Sequence, residues 1–302
     1  MGPSPLRGSH LFRPWNQTHS PNREALATCM IRSWLAERAL DYLAFGKLKR
    51  GKYRLAQLAS SLLDGIVIHS IYGPLLHCRF ADSTFWLAAR YGNEEVIRLL
   101  SDLNPNDGFI DVGANIGLTS CFAAERGASV LSLEPSAREY TDLIRNLSLL
   151  SNPPVALPIA ASDRAEFLPF RIGHISHSGG NSLGSARHAS EQDVLVHGAR
   201  LDDLLDDDQL QRWPSMHNAY NNHSLVVKID VEGFEFKVIQ GMQHLLREHR
   251  CRKVIVEENA HRAKALTGDQ NLPAAMAQFG YEPTIQPAGR EHFDQCYVPT
   301  RP

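Results

Sequence analysis

The stretch Phe109-Ile110-Asp111-Val112-Gly113-Ala114-Asn115-Ile116-Gly117 decides the fold. Phe109–Val112 reads as a buried strand, and Leu118–Arg126 behind the glycines reads as a helix. Glycine lets the chain turn tightly and approach a ligand without a Cβ in the way. The free N–H groups of the helix start then face that ligand. The spacing is not the G-x-G-x-x-G of a dinucleotide site: Gly113 and Gly117 are four apart and Asp111 precedes them. A carboxylate there repels a pyrophosphate and suits a cationic or hydroxylated ligand.

Strand and helix alternate outward from this point. Val130–Leu133 is a strand, Ala137–Leu150 a helix and Val155–Ala161 a strand. Leu225–Asp230, Phe234–His249, Val254–Glu257 and Leu272–Phe279 continue the alternation, and Gly280–Pro302 suits a closing strand pair. Such βαβ units predict a mostly parallel sheet with helices on both faces. Ahead of it, Ile66–Ile71 and Leu75–Phe80 flank the turn Tyr72-Gly73-Pro74 as a hairpin. Asp82 or Ser83 is placed to cap a helix, and Glu94–Leu103 forms another. Residues 1–22 read as a loose arm. In the helical stretch after them, Leu26, Met30, Trp34, Leu35 and Ala39 fall on one face. The organisation is therefore an arm with a helical extension over 1–65 and an α/β domain over 66–302.

Composition bounds the function. The 302 residues are 43% apolar and 21% charged, with a net charge of −2. That balance gives no general basic field pointing to nucleic acid or an anionic membrane. No apolar run is long enough to cross a bilayer, and residues 1–20 do not read as a secretory signal. Five scattered cysteines form no CxxC pair, so a reducing cytoplasm is the expected setting. The basic run Lys47, Lys49, Arg50, Lys52, Arg54 reads as a solvated helix face or linker, with an acidic or membrane-surface contact as the other reading.

Four further stretches carry chemistry. Glu134 closes the second strand about 20 residues past the glycine loop, where such folds place the carboxylate that accepts ribose hydroxyls. Asp163, after Ala160-Ala161-Ser162, ends the next strand, with room for a base and a hydrogen bond to its amino group. Lys228, Asp230 and Glu232 alternate in Val227-Lys228-Ile229-Asp230-Val231-Glu232-Gly233. They share one side if the strand stays extended, and charges on an otherwise apolar strand need partners. Glu257 and Glu258 end the following strand, with Glu257 a candidate for the acceptor pocket.

Together these pieces resemble the FkbM-like family of S-adenosylmethionine-dependent methyltransferases. The matching stretches are FIDVGANIGLTS (109–120), LSLEPS (131–136), AASD (160–163), GARLDDLL (198–205), VVKIDVEGFEFKVIQGMQHLL (226–246) and VIVEEN (254–259). Arg200 stands where the family has Thr, and Asn181–Leu183 looks like its small-residue loop. The resemblance implies a Rossmann-like class I methyltransferase sheet of seven strands. It implies S-adenosylmethionine as cofactor, with Asp111, Gly113, Asn115 and Gly117 around its methionine part, Glu134 on the ribose and Asp163 near the adenine.

The expected reaction is O-methylation of a hydroxyl on a sugar, glycolipid or secondary metabolite. Asp230 is the first-choice base, Glu232 the second, and Lys228 orients the acid or stabilises an oxyanion. His174 and His177 are rival bases on a loop. A magnesium-assisted variant would draw on Asp230, Glu232 and Glu257, but the spacing does not demand it, so no metal is assigned. The alternatives are a non-catalytic binding module and a nucleotide-sugar or NAD-using enzyme. The N-terminal helices are candidate homo-oligomer contacts.

Overall fold

The computed structural model describes residues 23–45, 50–173, 182–183, 192–259, 271–284 and 292–300. Helices α1 (Arg23–Ala44) and α2 (Arg50–Leu63) lead into the antiparallel pair β1 (Val67–His69) and β2 (Leu75–His77). Helix α3 (Ser83–Arg90) is capped by the carboxylate of Asp82, which accepts from Thr84 N, and α4 (Glu94–Leu99) follows. The apolar face read for α1 is turned outward. Met30, Trp34 and Leu35 point outward, while Ala36, Leu40, Leu43 and Ala44 are buried. A helix apolar on two faces has a periodicity that does not say which face meets the core.

The α/β part runs β3 (Gly108–Val112), α5 (Leu118–Glu125), β4 (Ser129–Leu133), α6 (Ala137–Leu147) and β5 (Val155–Leu157). The expected strand Val155–Ala161 divides here. β6 (Ala160–Ala161) leaves the main sheet and joins a second one with β7 (Glu166–Ile172), β8 (Ser182–Leu183) and β9 (Gln192–Ala199). Pro158 interrupts the segment and has no N–H for a ladder.

Helices α7 (Leu201–Leu204), α8 (Asp207–Gln211) and α9 (Pro214–Asn221) precede β10 (Leu225–Ile229). The polar tract His217–His223 is thus largely helical. Pro214 starts α9, and Met216, Ala219 and Tyr220 supply its buried side.

The single expected helix Phe234–His249 is two, α10 (Glu235–Gln240) and α11 (Gln243–Arg247). At Gly241 a Cβ would collide with the carbonyl oxygen of Ser162. The Asp202 carboxylate accepts from the N–H groups of His244 and Leu245 at the start of α11. Strand β11 (Cys251–Asn259), helix α12 (Leu272–Ala277) and strands β12 (Tyr281–Pro283) and β13 (His292–Pro299) complete the chain.

The main sheet has seven strands in the order β12-β13-β11-β10-β3-β4-β5. β11, β10, β3, β4 and β5 are parallel; β13 and β12 pair antiparallel at one edge. This is the Rossmann-like class I arrangement expected. Strands β3 and β10 are buried throughout, as parallel strands covered on both faces are. Ile110, Val112, Val227 and Ile229 pack on one side with Leu201, Met216, Val238 and Leu246. Phe109, Val226 and Ile255 pack on the other with Phe122, Leu100 and Cys296. The crossovers from β3 diverge, to β4 on one side and eventually to β10 on the other. That makes the carboxyl end of β3 the switch point where open α/β sheets leave a crevice.

Candidate active site

At the switch point the sheet register aligns a polar row. Lys228 pairs with Asp111 across β10 and β3, and Asp111 with Ser132 across β3 and β4. Asp111 is fully buried. One of its oxygens accepts from Thr119 Oγ1 and Ser120 Oγ, both at 2.6 Å, and the other lies 3.2 Å from Lys228 Nζ. Ser120 also bonds Ser132 at 2.7 Å. This differs from the expectation for Asp111. Its cationic and hydroxylated partners are Lys228, Thr119 and Ser120 of the chain itself, because a buried carboxylate must be satisfied from within. Asp111 therefore anchors the loop from behind.

The loop sits on that anchor. The N–H groups of Gly113 and Ala114 both donate to Leu133 O at 3.0 Å. Gly113 has φ +77° and Gly117 φ +87°, and Asn115 between them has φ 49°. A Cβ on Gly113 would collide with the carbonyl oxygen of Asp230, so glycine is required both by backbone conformation and by close approach. Asn115 Oδ1 is buried and has no hydrogen-bond partner among the described residues.

Glu134, 6% exposed, ties the loop to the next strand. One oxygen accepts from Asn115 N at 2.8 Å and the other from Ser136 N at 2.9 Å. Each keeps a second lone pair. Burial pushes this carboxyl up to about 7; the N–H groups of Ser136 and Asn115 pull it down, and the Glu139 carboxylate pushes it further up.

Lys228 is the junction of the site. Its ammonium donates to Gly113 O at 2.9 Å and lies 3.3 Å from Asp230 Oδ2. Burial works against its charge, but the carboxylates of Asp111 and Asp230 outweigh it and hold the ammonium above its usual range. The Asp230 side chain is about one third exposed (36%). Strand β10 ends at Ile229, one residue before Asp230. Glu232 adopts φ 54°, so the alternation does not carry through and Glu232 does not extend a common row with Lys228 and Asp230.

Asp163 follows β6, accepts from Ser162 Oγ at 3.1 Å and lies 3.8 Å from Lys237 Nζ on α10. Glu257 pairs in register with Asp294 of β13 and adds to the negative field on Lys228. Arg200 precedes α7 without capping it; its guanidinium pairs with Asp202 at 2.8 Å and Asp203 at 3.3 Å. His174, His177 and Asn181 lie outside the described residues, as does the Glu258 side chain. Among the described residues no group of three His, Cys, Asp or Glu is placed to hold a metal ion.

Sequence reasoning missed Asn146. It is 1% exposed, donates to Ile116 O at 2.7 Å and accepts from His77 N at 2.8 Å. It thereby clamps the glycine loop to β2. Its only signal was a polar residue on the inner side of α6.

A family model described as the methyltransferase FkbM domain matches residues 111–283. The hexuronic acid methyltransferase AglP of Haloferax volcanii is 29% identical over 180 residues, which cover 56% of this chain and 63% of that protein. The chain thus matches less than two thirds of that relative's length. A crystal structure of methyltransferase FkbM from Methylobacillus flagellatus KT aligns at 15% identity and a TM-score of 0.43, over 87% of this chain and 59% of that one. The magnesium protoporphyrin IX methyltransferase ChlM from Synechocystis PCC 6803, with SAM bound, aligns at 10% identity and a TM-score of 0.36, over 93% and 100%.

Proposed function

Because this chain belongs to the methyltransferase FkbM family, we propose that it transfers the methyl group of S-adenosylmethionine to a hydroxyl oxygen of a sugar or glycan. The observation that carries this reading is the junction at Lys228, which bonds the glycine loop through Gly113 O and sits against Asp230. It fixes a cofactor loop and a partly exposed carboxylate in one unit. The sugar acceptor is favoured by the likeness to a hexuronic acid methyltransferase.

The residues present fit the family's cofactor. The buried Oδ1 of Asn115, unpartnered among the described residues, leaves the glycine loop in want of a polar ligand. Gly113, Asn115 and Gly117 would hold the methionine part, with Asp111 fixing the loop behind them. Glu134 would accept the ribose hydroxyls on its remaining lone pairs, and Asp163 would take the adenine amino group. When bound, the cofactor supplies a methyl group activated by a sulfonium.

The chain's own task is to hold the acceptor and to move one proton. Most of the rate gain in such a displacement comes from positioning. With the methyl passing from sulfur to oxygen, the acceptor hydroxyl would have to lose its proton to a base. Asp230 takes that proton at its carboxylate, and Lys228 orients it. Glu232 in the adjoining turn is the second candidate. The products are a methyl ether and S-adenosylhomocysteine.

The test is calorimetric titration with S-adenosylhomocysteine, followed by transfer of labelled methyl to hexuronic-acid-containing glycans. Binding that Glu134→Ala abolishes, with label entering the glycan as an ether, supports the reading. Folded protein that binds neither form of the cofactor overturns it. Label recovered as a methyl ester would move the reaction from hydroxyl to carboxylate.

A further inference from the structure

The two N-terminal helices form an antiparallel hairpin. Arg32 donates to Leu62 O at 3.0 Å, and Lys52 to Leu43 O at 3.3 Å. The inner side packs into a cluster with Phe85, Trp86 and Leu76. The outer side is also apolar. Met30, Ile31, Trp34, Leu35, Tyr42 and Phe45 are between 44% and 73% exposed. At about 100° per residue they fall within one arc of about 140° on α1. Beside them on α2, Leu55, Leu58 and Leu62 form an exposed stripe at helical spacing. An apolar face of this extent marks an interaction surface.

Charge selects the occupant. Residues 23–63 carry eight basic side chains against three acidic ones, in a chain whose net charge is −2; of the eight, Lys52 is buried against Leu43 O. Two of those acids, Glu37 and Asp41, turn to Arg90 on the core side. Arg38 lies within the outward arc, with its guanidinium 5.9 Å from the Trp34 ring centre. Arg54 is exposed beside the leucine stripe. A second copy laid on this face by a two-fold axis would set like charge against like. An anionic headgroup layer would meet it with the opposite sign. Trp, Tyr and the aliphatic stems of Arg suit the boundary between headgroups and acyl chains.

We propose that the outer face of the α1–α2 hairpin docks the protein, lying in plane, on an anionic lipid bilayer. No described helix is long and apolar enough to cross a membrane, so this is attachment and not insertion. The inner cluster of the hairpin extends to Ile116 and Leu118 at the glycine loop. Docking on this face therefore sets the loop one packed layer behind the lipid surface.

The full chain is floated with vesicles of phosphatidylcholine and phosphatidylglycerol in equal parts, and with phosphatidylcholine alone. It is expected to float with the mixed vesicles, far less with the neutral ones, and less as salt is raised. The double variant Trp34→Glu/Leu58→Glu loses flotation by about tenfold or more. Arg38→Glu/Arg54→Glu loses the preference for anionic lipid. All four side chains are exposed, so both variants keep the parent melting temperature. Flotation with neither composition, or equally with both, overturns the proposal. So does a dimer in light scattering that the Trp34→Glu/Leu58→Glu variant dissociates, because the face then belongs to a second copy.

Discussion

The carbonyl oxygen of Asp230 occupies the space where a Cβ on Gly113 would sit. The glycine loop and the end of β10 are therefore in backbone contact, and each limits the other. Gly113→Ala adds a left-handed strain at φ +77° to that overlap. The expected cost is about 2–4 kcal/mol in urea unfolding, with loss of S-adenosylhomocysteine binding in titration. An alanine variant with parent stability and affinity would mean that the contact relaxes freely.

Lys228→Met removes the cation that Asp111 and Asp230 share. Among the described residues Asp111 then keeps two hydroxyl donors, Thr119 and Ser120, and no cation. Breaking a buried pair from one side costs about 3–5 kcal/mol, because the remaining charge has no counterion. The double variant Lys228→Met/Asp111→Asn should recover about 1 kcal/mol or more of that loss. Additive losses in denaturant unfolding would contradict a coupled pair.

With Glu134 on the ribose, as proposed, cofactor binding depends on pH. The Glu134 carboxyl is raised from 4.5 to about 7 in the folded protein. The fold binds more protons than the unfolded chain between those values, so this group's contribution to stability falls as pH rises from about 4.5 through 7. Acceptance of ribose hydroxyls needs the carboxylate, so affinity for S-adenosylhomocysteine should rise over the same upper range, from pH 6 to about 8. Glu134→Gln should flatten the profile and lower affinity about tenfold, since an NH2 donor replaces one of the two oxygens that accept from Asn115 N and Ser136 N. A flat profile in the parent protein would rule out Glu134 as the titrating group.

Asn146→Ala removes the side-chain partner of Ile116 O, which is buried, and of His77 N, which is part-buried. Each lost partner costs about 1–3 kcal/mol. The loss should appear in the melting temperature and in weaker S-adenosylhomocysteine binding together, because the clamp grips the loop itself. Lower stability with unchanged affinity would make Asn146 a residue of the fold alone.

The sequence made the glycine loop and Glu134 legible because their geometry is local. A strand, a left-handed turn and a helix start follow one another within nine residues, and Glu134 reaches back through backbone N–H groups. Lys228 and Asp230 were legible as residues, but not as a junction, since their partners Asp111 and Gly113 lie more than a hundred positions away. The alternation reading failed at Glu232 because a strand's period says nothing about where the strand stops. Asn146 left no motif, because a side chain that satisfies distant carbonyl and N–H groups carries no spacing rule. Which face of α1 meets the core was not legible for the same reason. Two apolar stripes on one helix look like one broad stripe until the packing of Trp86 and Phe85 selects one of them.

Asp230 and Glu232 are two carboxylates in one turn, and kinetics can separate them. Asp230 lies against Lys228, and its backbone N–H donates to Val112 O at 3.0 Å, so its position is fixed by the sheet. Glu232 sits in a left-handed turn beyond the strand end, and a base on a strand terminus is held more accurately than one on a turn. Asp230→Asn keeps the shape and removes the proton acceptor. It should lower kcat by about 10²–10⁴ while affinity for S-adenosylhomocysteine stays within about threefold. Glu232→Gln should act mainly on KM for the acceptor. The reverse pattern, with kcat collapsing in Glu232→Gln and surviving in Asp230→Asn, would exchange their roles and leave Asp230 as a positioning residue for the loop.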